Sequence, residues 1–310
     1  MTIKNIMLGC LYGQAVGDAL GLGTEFMNKN EVRKHYPQGL IRYDQIIQDD
    51  HRCRWAKGSW TDDTDMMICI MDAFDGTGFN YHAIARNFKE WFNGDPLGIG
   101  GHTFKVLCMS DYAEQPEMCS KLWWDLSHHN SAANGALMRT SVVGLAPSYT
   151  EEHAETICRL THYDPRCIGS CVIASSIIHN LVWHNKMLSY DEIRQIGRKY
   201  DNRIAEWIGK AYNCSDISLL CLGDTSIGYT LLSLSAALWC YWHAVSFENG
   251  LLLTVNEGGD ADTNAAIACS ILGAKFGYEA IPQYYIENLS KLDEYKAKVS
   301  RFINETLNEK

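Results

Sequence analysis

Positive charge is scarce in this chain: 27 lysines and arginines stand against 37 aspartates and glutamates, a formal charge of −10. The basic residues are also scattered, which argues against a nucleic-acid surface or an anionic membrane as partner. An anionic substrate would then need local neutralisation, by a metal ion or by backbone amides. No apolar run reaches the roughly 20 residues that span a bilayer. The longest, Leu231 to Val245, contains serines and His243 and reads as a core helix. Prolines number six in 310 residues, alternating β-branched stretches are scarce, and neither a linker nor a repeat is present. One domain over residues 1–310 is therefore expected.

The twelve cysteines include no Cys-x-x-Cys pair, which excludes a zinc ribbon and a redox motif. Most lie in apolar helical stretches (Cys69, Cys108, Cys158, Cys240, Cys269), where a free thiol acts as a small hydrophobe. Cys167 and Cys171 stand four apart, on one helix face. A reducing compartment follows, and with no signal-peptide pattern after Met1 the expected location is cytoplasmic. His-Glu-x-x-His and Gly-x-Ser-x-Gly are missing as well, so zinc and serine-nucleophile chemistry are poor readings. His128 and His129 are adjacent and would point apart on a helix. His179 and His184, five apart, would not share a face.

The pattern that remains is helical, and the expected fold class is all-α, a multi-helix bundle. Gly9, Gly13, Gly17 and Gly21 recur every fourth residue and leave a bare stripe for another helix or a ligand. Asn80 to Trp91 is amphipathic and stops at Gly94. Gln115-Pro116 and Asp164-Pro165 each open a helix with Pro near its first position, the second running through Ile178. Ser189-x-x-Glu192 is a capping box. Long apolar helices are expected over 228–245 and 264–276, and a polar, peripheral one over 291–308. Leu40 to Ile47 suits a short hairpin or a flap.

Two acidic clusters break this background: Thr61-Asp62-Asp63-Thr64 and Asp260-Ala261-Asp262-Thr263. Each opens a stretch that reads as helix. Plain capping explains one oxygen at a helix start, since the first amides need an acceptor. It does not explain four carboxylates and three hydroxyls at two starts. If the clusters meet, their repulsion is about 4 kcal/mol per pair at 4 Å and an effective dielectric of about 20. A hard divalent cation removes that cost, because Mg²⁺, Mn²⁺ and Ca²⁺ take oxygen ligands. A metal site in a cleft between helices is the favoured reading.

Other segments are weaker signals. Gly17-Asp18-Ala19-Leu20-Gly21 delivers Glu25 into a loop, either as a solvated residue or near a ligand. Gly98-Ile99-Gly100-Gly101-His102-Thr103 leads into a helix, where its amides could cradle a phosphate. Asn134-Gly135-Ala136-Leu137-Met138-Arg139 places one arginine on an apolar turn, to pair with a core carboxylate or to touch ligand. His162 sits in a turn between helices, where substrate contact and turn packing are equal alternatives.

Taken in order, Gly13 to Gly21, Trp60 to Thr64, Asn134 to Arg139, Thr161-His162-x-Asp164-Pro165-Arg166 and Gly258-Gly259-Asp260-Ala261-Asp262-Thr263-Asn264 resemble the ADP-ribosylglycohydrolase family. The resemblance runs from about Ile6 to Gly277. It implies an all-α fold with a dinuclear site in a central cleft, holding two divalent cations, Mg²⁺ or Mn²⁺. Thr61, Asp62 and Asp63 would form one half of the metal cage; Asp260, Asp262 and Thr263 would form the other. Glu25, Asp62 and Asp262 become the implied catalytic carboxylates, with Glu25 near the distal ribose. Gly98, Gly100, Gly101, His102 and Thr103 match a loop that wraps phosphates and ribose. Asn134 and His162 lie in matching segments and are expected at the substrate, and Tyr229 resembles an aromatic that packs on adenine. Some arginine-directed members carry an acid where this chain has Gly98, and Asp95 stands close enough to substitute. The implied activity is removal of ADP-ribose from a modified protein side chain, arginine foremost, with ADP-ribose as product. Alternatives are another ADP-ribosyl linkage, a free nucleotide sugar, or a non-catalytic ADP-ribose-binding protein; the filled cage argues against the last.

Overall fold

The computed structural model describes residues 1–223 and 227–308, and among these it contains helices, turns and no strand. In chain order the α-helices are α1 (Ile3–Gly21), α2 (Lys29–His35), α3 (Asp62–Met71), α4 (Tyr81–Asn93), α5 (Gly101–Leu107), α6 (Pro116–Leu126), α7 (Glu151–Arg159) and α8 (Pro165–Trp183). They continue with α9 (Tyr190–Arg198), α10 (Asn202–Asn213), α11 (Thr230–His243), α12 (Phe247–Val255), α13 (Ala261–Phe276), α14 (Gln283–Glu287) and α15 (Leu292–Leu307). The buried apolar side chains join into one core cluster that draws on α1, α3, α8, α11, α13 and α15.

The glycine stripe on α1 meets a helix. A methyl group built on Gly9, Gly13, Gly17 or Gly21 would fall 2.2 to 2.4 Å from the carbonyl oxygens of Gly273, Cys269, Ala265 and Ala261. The backbones of α1 and α13 therefore touch along their whole overlap, running antiparallel, closer than side chains would permit. That contact sets the end of α1 beside the start of α13, so Glu25 and the Asp260 cluster become neighbours. Gly258 and Gly259 hold φ of +75° and +71° and turn the chain sharply into α13. A two-bond clasp then fixes the junction: the Phe26 amide donates to Gly259 O at 2.6 Å, and the Gly259 amide to Met27 O at 2.7 Å.

Four expectations are corrected here. Leu40 to Ile47 is a loop with a single turn at Tyr43–Gln45, because the Asn256 side chain bonds both the N–H and the C=O of Leu40, and the Tyr36 hydroxyl takes the Ile47 N–H. α15 is not peripheral: Tyr295, Val299, Phe302 and Ile303 form a buried face, and the Tyr295 hydroxyl donates to Leu11 O at 2.5 Å. His128 and His129 do not lie on a helix; both are left-handed residues just beyond α6, and His129 stacks on Trp124 at 3.8 Å. His179 and His184 do meet, ring edge to face at 5.4 Å, because His184 sits where α8 ends. Among the described residues α8 is the one helix long and apolar enough to cross a membrane, and 83% of its apolar window is buried inside the protein as core.

Candidate active site

Neither acidic cluster is a set of ordinary caps. The side chains of Thr61 and Asp260, at the N-cap positions of α3 and α13, make no capping hydrogen bond. Asp18 caps α3 instead, from across the core. This fully buried residue near the end of α1 accepts from the Thr61 N–H at 2.9 Å, the Thr61 hydroxyl at 2.9 Å, the Thr64 N–H at 3.0 Å and the Thr64 hydroxyl at 2.6 Å. Because a distant residue does the capping, Asp62 and Asp63 are left for other work. Asp63 Oδ2 faces the Thr61 hydroxyl at 3.0 Å, whereas its buried Oδ1 has no partner among the described residues.

The two clusters meet in a cavity of about 540 Å³ whose walls include Glu25, Thr61, Asp62, Asp260, Asp262 and Thr263. Oxygens of Glu25, Asp260 and Asp262 all lie within 4.8 Å of one another. Burial, followed by the neighbouring Glu25 charge, pushes the Asp62 carboxyl up to about 7. Burial raises Asp260 to about 6 against a hydrogen bond from Asn134. Asp18 rises to about 7, again through burial, although its threonine partners oppose this. Asp63 and Asp262 are driven well up by burial and then by surrounding carboxylates. Buried, mutually repelling carboxylates with a partnerless oxygen among them form a donor set that fits hard divalent cations.

Other side chains aim this set. Asn134 donates to Asp260 Oδ2 at 2.6 Å and to Ser233 Oγ at 2.9 Å, so it holds Asp260. His51 Nε2 lies 2.7 Å from Glu25 Oε2, and Arg54 Nη2 lies 2.8 Å from His51 Nδ1. Since a guanidinium only donates, Nδ1 accepts and the Nε2–H points at Glu25. Phe26, next along, is left-handed at φ +62° and is clasped to Gly259, which sharpens the turn that carries Glu25.

The glycine loop borders the same cavity. Gly98, Gly100, Gly101, His102 and Thr103 all line the cavity, but the Gly100 amide is turned to Asp62 Oδ2 at 3.3 Å. Both ring nitrogens of His102 are used within the protein, on Ser131 Oγ at 2.6 Å and Thr161 O at 2.9 Å. Asp95 lies outside the main cavity. It borders a second one of about 250 Å³, with Asp65, which shares Asp62, Trp55, Arg54 and Gly98 with the first. Tyr229 is half-buried beyond the wall formed by Ile227 and Gly228, its ring against Arg166 and Trp207. His162 is fully buried behind Gly135. Among the described residues Arg139 has no carboxylate partner: it is fully buried, donates to the Thr161 hydroxyl and lies over the Phe88 ring at 4.4 Å.

Asp18, His51 and Arg54 were not picked out from sequence. Asp18 stood within a noted motif, and a charge inside a glycine-striped buried helix was the available signal. His51 and Arg54 follow a polar run, Gln48-Asp49-Asp50, that reads as plain loop.

A family model described as ADP-ribosylglycohydrolase matches residues 1–310. The ADP-ribosyl-[dinitrogen reductase] glycohydrolase of Rhodospirillum rubrum is 28% identical, over 94% of this chain and 92% of its own length. ADP-ribosylarginine hydrolase Tri1 of Pseudomonas putida is 25% identical, over 91% of this chain and 73% of its own. A solved chain from an ADP-ribosylglycohydrolase-related protein complex shares the fold at a TM-score of 0.73 and 23% identity, covering 98% of this chain and 99% of its own. The protein is thus an enzyme, a hydrolase of the glycohydrolase type. It belongs to the ADP-ribosylglycohydrolase family.

Proposed function

We propose that this enzyme removes ADP-ribose from a modified arginine side chain of a protein, using two divalent cations, Mg²⁺ or Mn²⁺. The observation that carries the reading is the convergence of Glu25, Asp62, Asp260 and Asp262 on one cavity, with the three aspartates raised by burial and mutual repulsion. Thr61, Asp62 and Asp63 from one side, and Asp260, Asp262 and Thr263 from the other, would hold the ions. When bound, such ions supply Lewis acidity to oxygen ligands.

The chain's own residues supply the rest. Cleavage at an anomeric carbon builds oxocarbenium-like positive charge. The gathered carboxyl groups of Glu25, Asp260 and Asp262 would oppose that charge once ionised, and His51 and Arg54 fix Glu25 beside Asp260 and Asp262. Glu25 would take or return a proton at the reacting centre. Two observations support arginine. The smaller cavity that shares Asp62 is bordered by Asp65 and Asp95, and Asp65 is pinned by the indole N–H groups of Trp60 at 2.8 Å and Trp91 at 3.2 Å. Acidic walls suit a guanidinium leaving group, and the Pseudomonas putida relative is named for the arginine linkage. The test is to incubate the enzyme with arginine-, serine- and glutamate-linked ADP-ribose. Arginine-linked substrate is expected to be cleaved fastest; faster cleavage of serine-linked substrate would overturn the linkage.

A further inference from the structure

We propose that Arg52 is a positioning residue for the reaction: its buried guanidinium clamps the backbone carbonyl of Glu25 while the adjacent His51 holds the carboxylate. One short segment thus grips this glutamate at both ends. The inference rests on the role given to Glu25 above; the clamp itself rests on geometry. α1 ends at Gly21 without a basic residue in its last turn, and Glu25 follows shortly after. The last carbonyls of a helix lack donors within it and carry partial negative charge, so a cation there is favourable. Arg52 supplies one from 30 residues further along the chain. Its Nε–H is shared between Leu22 O at 3.1 Å and Gly23 O at 2.9 Å, and Nη2 donates to Glu25 O. Asp49 holds the guanidinium in turn: its Oδ2 accepts from Nη1 at 2.5 Å and its Oδ1 from the Arg52 N–H at 2.9 Å. The Arg52 side chain is only 4% exposed. Its planar fork reaches several carbonyls at once, which the single ammonium of a lysine does not reproduce.

Glu25 needs such a grip because packing alone does not place it. Glu25, Phe26 and His51 line the main cavity and also a smaller one of about 200 Å³, whose other walls include Asp49 and Arg52. The glutamate therefore stands between two open spaces, with room to leave Asp260 and Asp262 for the smaller one. Hydrogen bonds make the choice. His51 Nε2 holds the carboxylate at 2.7 Å, but it keeps that carboxylate in register only while the main chain beneath stays still. The clasp between Phe26 and Gly259 fixes the chain after Glu25, and Arg52 fixes it from Leu22 to Glu25. A misplacement of about 1 Å at a reacting group costs on the order of a hundredfold in rate, so the backbone half of the grip bears directly on turnover.

The experiment compares wild type, Arg52→Lys, Glu25→Gln and the double variant on arginine-linked ADP-ribose with saturating Mg²⁺, at enzyme excess where turnover is slow. Crystal structures of the wild type and Arg52→Lys accompany the kinetics. Arg52→Lys, which keeps the charge and loses the fork, is expected to lower kcat about tenfold or more with KM within about twofold. In the Glu25→Gln background the same change should cost less than about twofold, because its effect passes through the missing carboxylate. The Arg52→Lys crystal structure should show the Glu25 side chain moved towards the smaller cavity. Wild-type kcat in Arg52→Lys, or an unmoved Glu25, overturns the clamp. An equal loss with and without the Glu25 carboxylate, which a merely structural role would give, also overturns it. Should Arg52→Lys not fold, Asp49→Asn loosens the guanidinium from the surface and is read by the same criteria, with a loss of about threefold expected. Wild-type turnover in Glu25→Gln would remove Glu25 from the reaction and this inference with it. Failure of the wild type to cleave the arginine linkage would instead remove the proposed function, with the position of Glu25 in the two crystal structures still deciding the clamp.

Discussion

Replacing Asp18 with Asn is the sharpest perturbation of the way this site is built. The carboxylate takes two hydrogen bonds on each oxygen, from Thr61 and from Thr64. An amide keeps its shape but presents an NH₂ group to one of those pairs. A hydroxyl can rotate away, but a backbone N–H cannot, so one buried amide loses its acceptor at a cost of about 1–3 kcal/mol. Loss of one charge beside Asp62 and Asp63 offsets part of this. A net loss of about 2 kcal/mol corresponds to roughly 4 °C in Tm for a chain of this size. The larger effect is functional, because the first turn of α3 carries Asp62 and Asp63 and is free to shift without its anchor. A misplacement of about 1 Å costs on the order of a hundredfold in rate. Asp18→Asn is therefore expected to lower kcat by about 10- to 100-fold with a melting shift of a few degrees. Differential scanning fluorimetry and steady-state kinetics on one preparation check both. Full kcat with a lowered Tm would make Asp18 a helix cap and nothing more, and no change in either would refute the anchor outright.

Asp62→Asn and Asp262→Asn should each cut turnover by orders of magnitude without loss of Tm, since each removes a like charge from a crowded site; wild-type rates in both would reduce the clusters to helix starts. Metal-free protein should lose stability as pH rises from about 5 to 8. Asp62 and Asp260 titrate at about 7 and about 6 in the fold against an ordinary 3.8, so the folded chain holds protons that the unfolded chain has released, and that stability disappears as pH climbs through those values. Asp49, Asp201 and Glu192 are shifted downward and titrate below this window. His102, His162 and half-buried His179, held below the ordinary histidine range, oppose the slope up to about pH 6.5, but the five raised aspartates (Asp18, Asp62, Asp63, Asp260 and Asp262) outnumber them. Saturating Mg²⁺ should flatten the slope, and melts across pH with and without the ion test it; a metal-free stability that rises over the same range refutes it. Asp95→Asn removes a charge while tolerating the left-handed backbone at φ +56°. It should slow arginine-linked cleavage more than ester cleavage, and an equal effect on both would move specificity to another loop.

The helices were legible because their caps and breakers are local: Ser189 with Glu192, Pro116, Pro165 and Gly94 act within a few residues. The clusters were legible for the same reason, as each packs its donors into four positions. What sequence hid was tertiary. Asp18 reaches Thr61 and Thr64 across 43 and 46 residues, and no spacing rule links them. Leu40 to Ile47 has strand-like composition, but Asn256 supplies the hydrogen bonds a partner strand would have made. α15 is polar on average, which concealed the helical spacing of Tyr295, Val299, Phe302 and Thr306 on its inner face. Tyr229 matched a motif, yet the wall of the cavity is made by its neighbours Ile227 and Gly228.

The central claim is that the carboxylates of both clusters work as one cation-dependent hydrolytic site. Its most direct measurement is release of ADP-ribose from arginine-linked substrate by protein stripped of metal, with the stripping verified by elemental analysis, followed by titration with Mg²⁺ or Mn²⁺. The account predicts no release in chelator, recovery with either ion, and a melting temperature that rises with ion concentration because the ions bind only the folded state. Full hydrolysis by verified metal-free protein would contradict it.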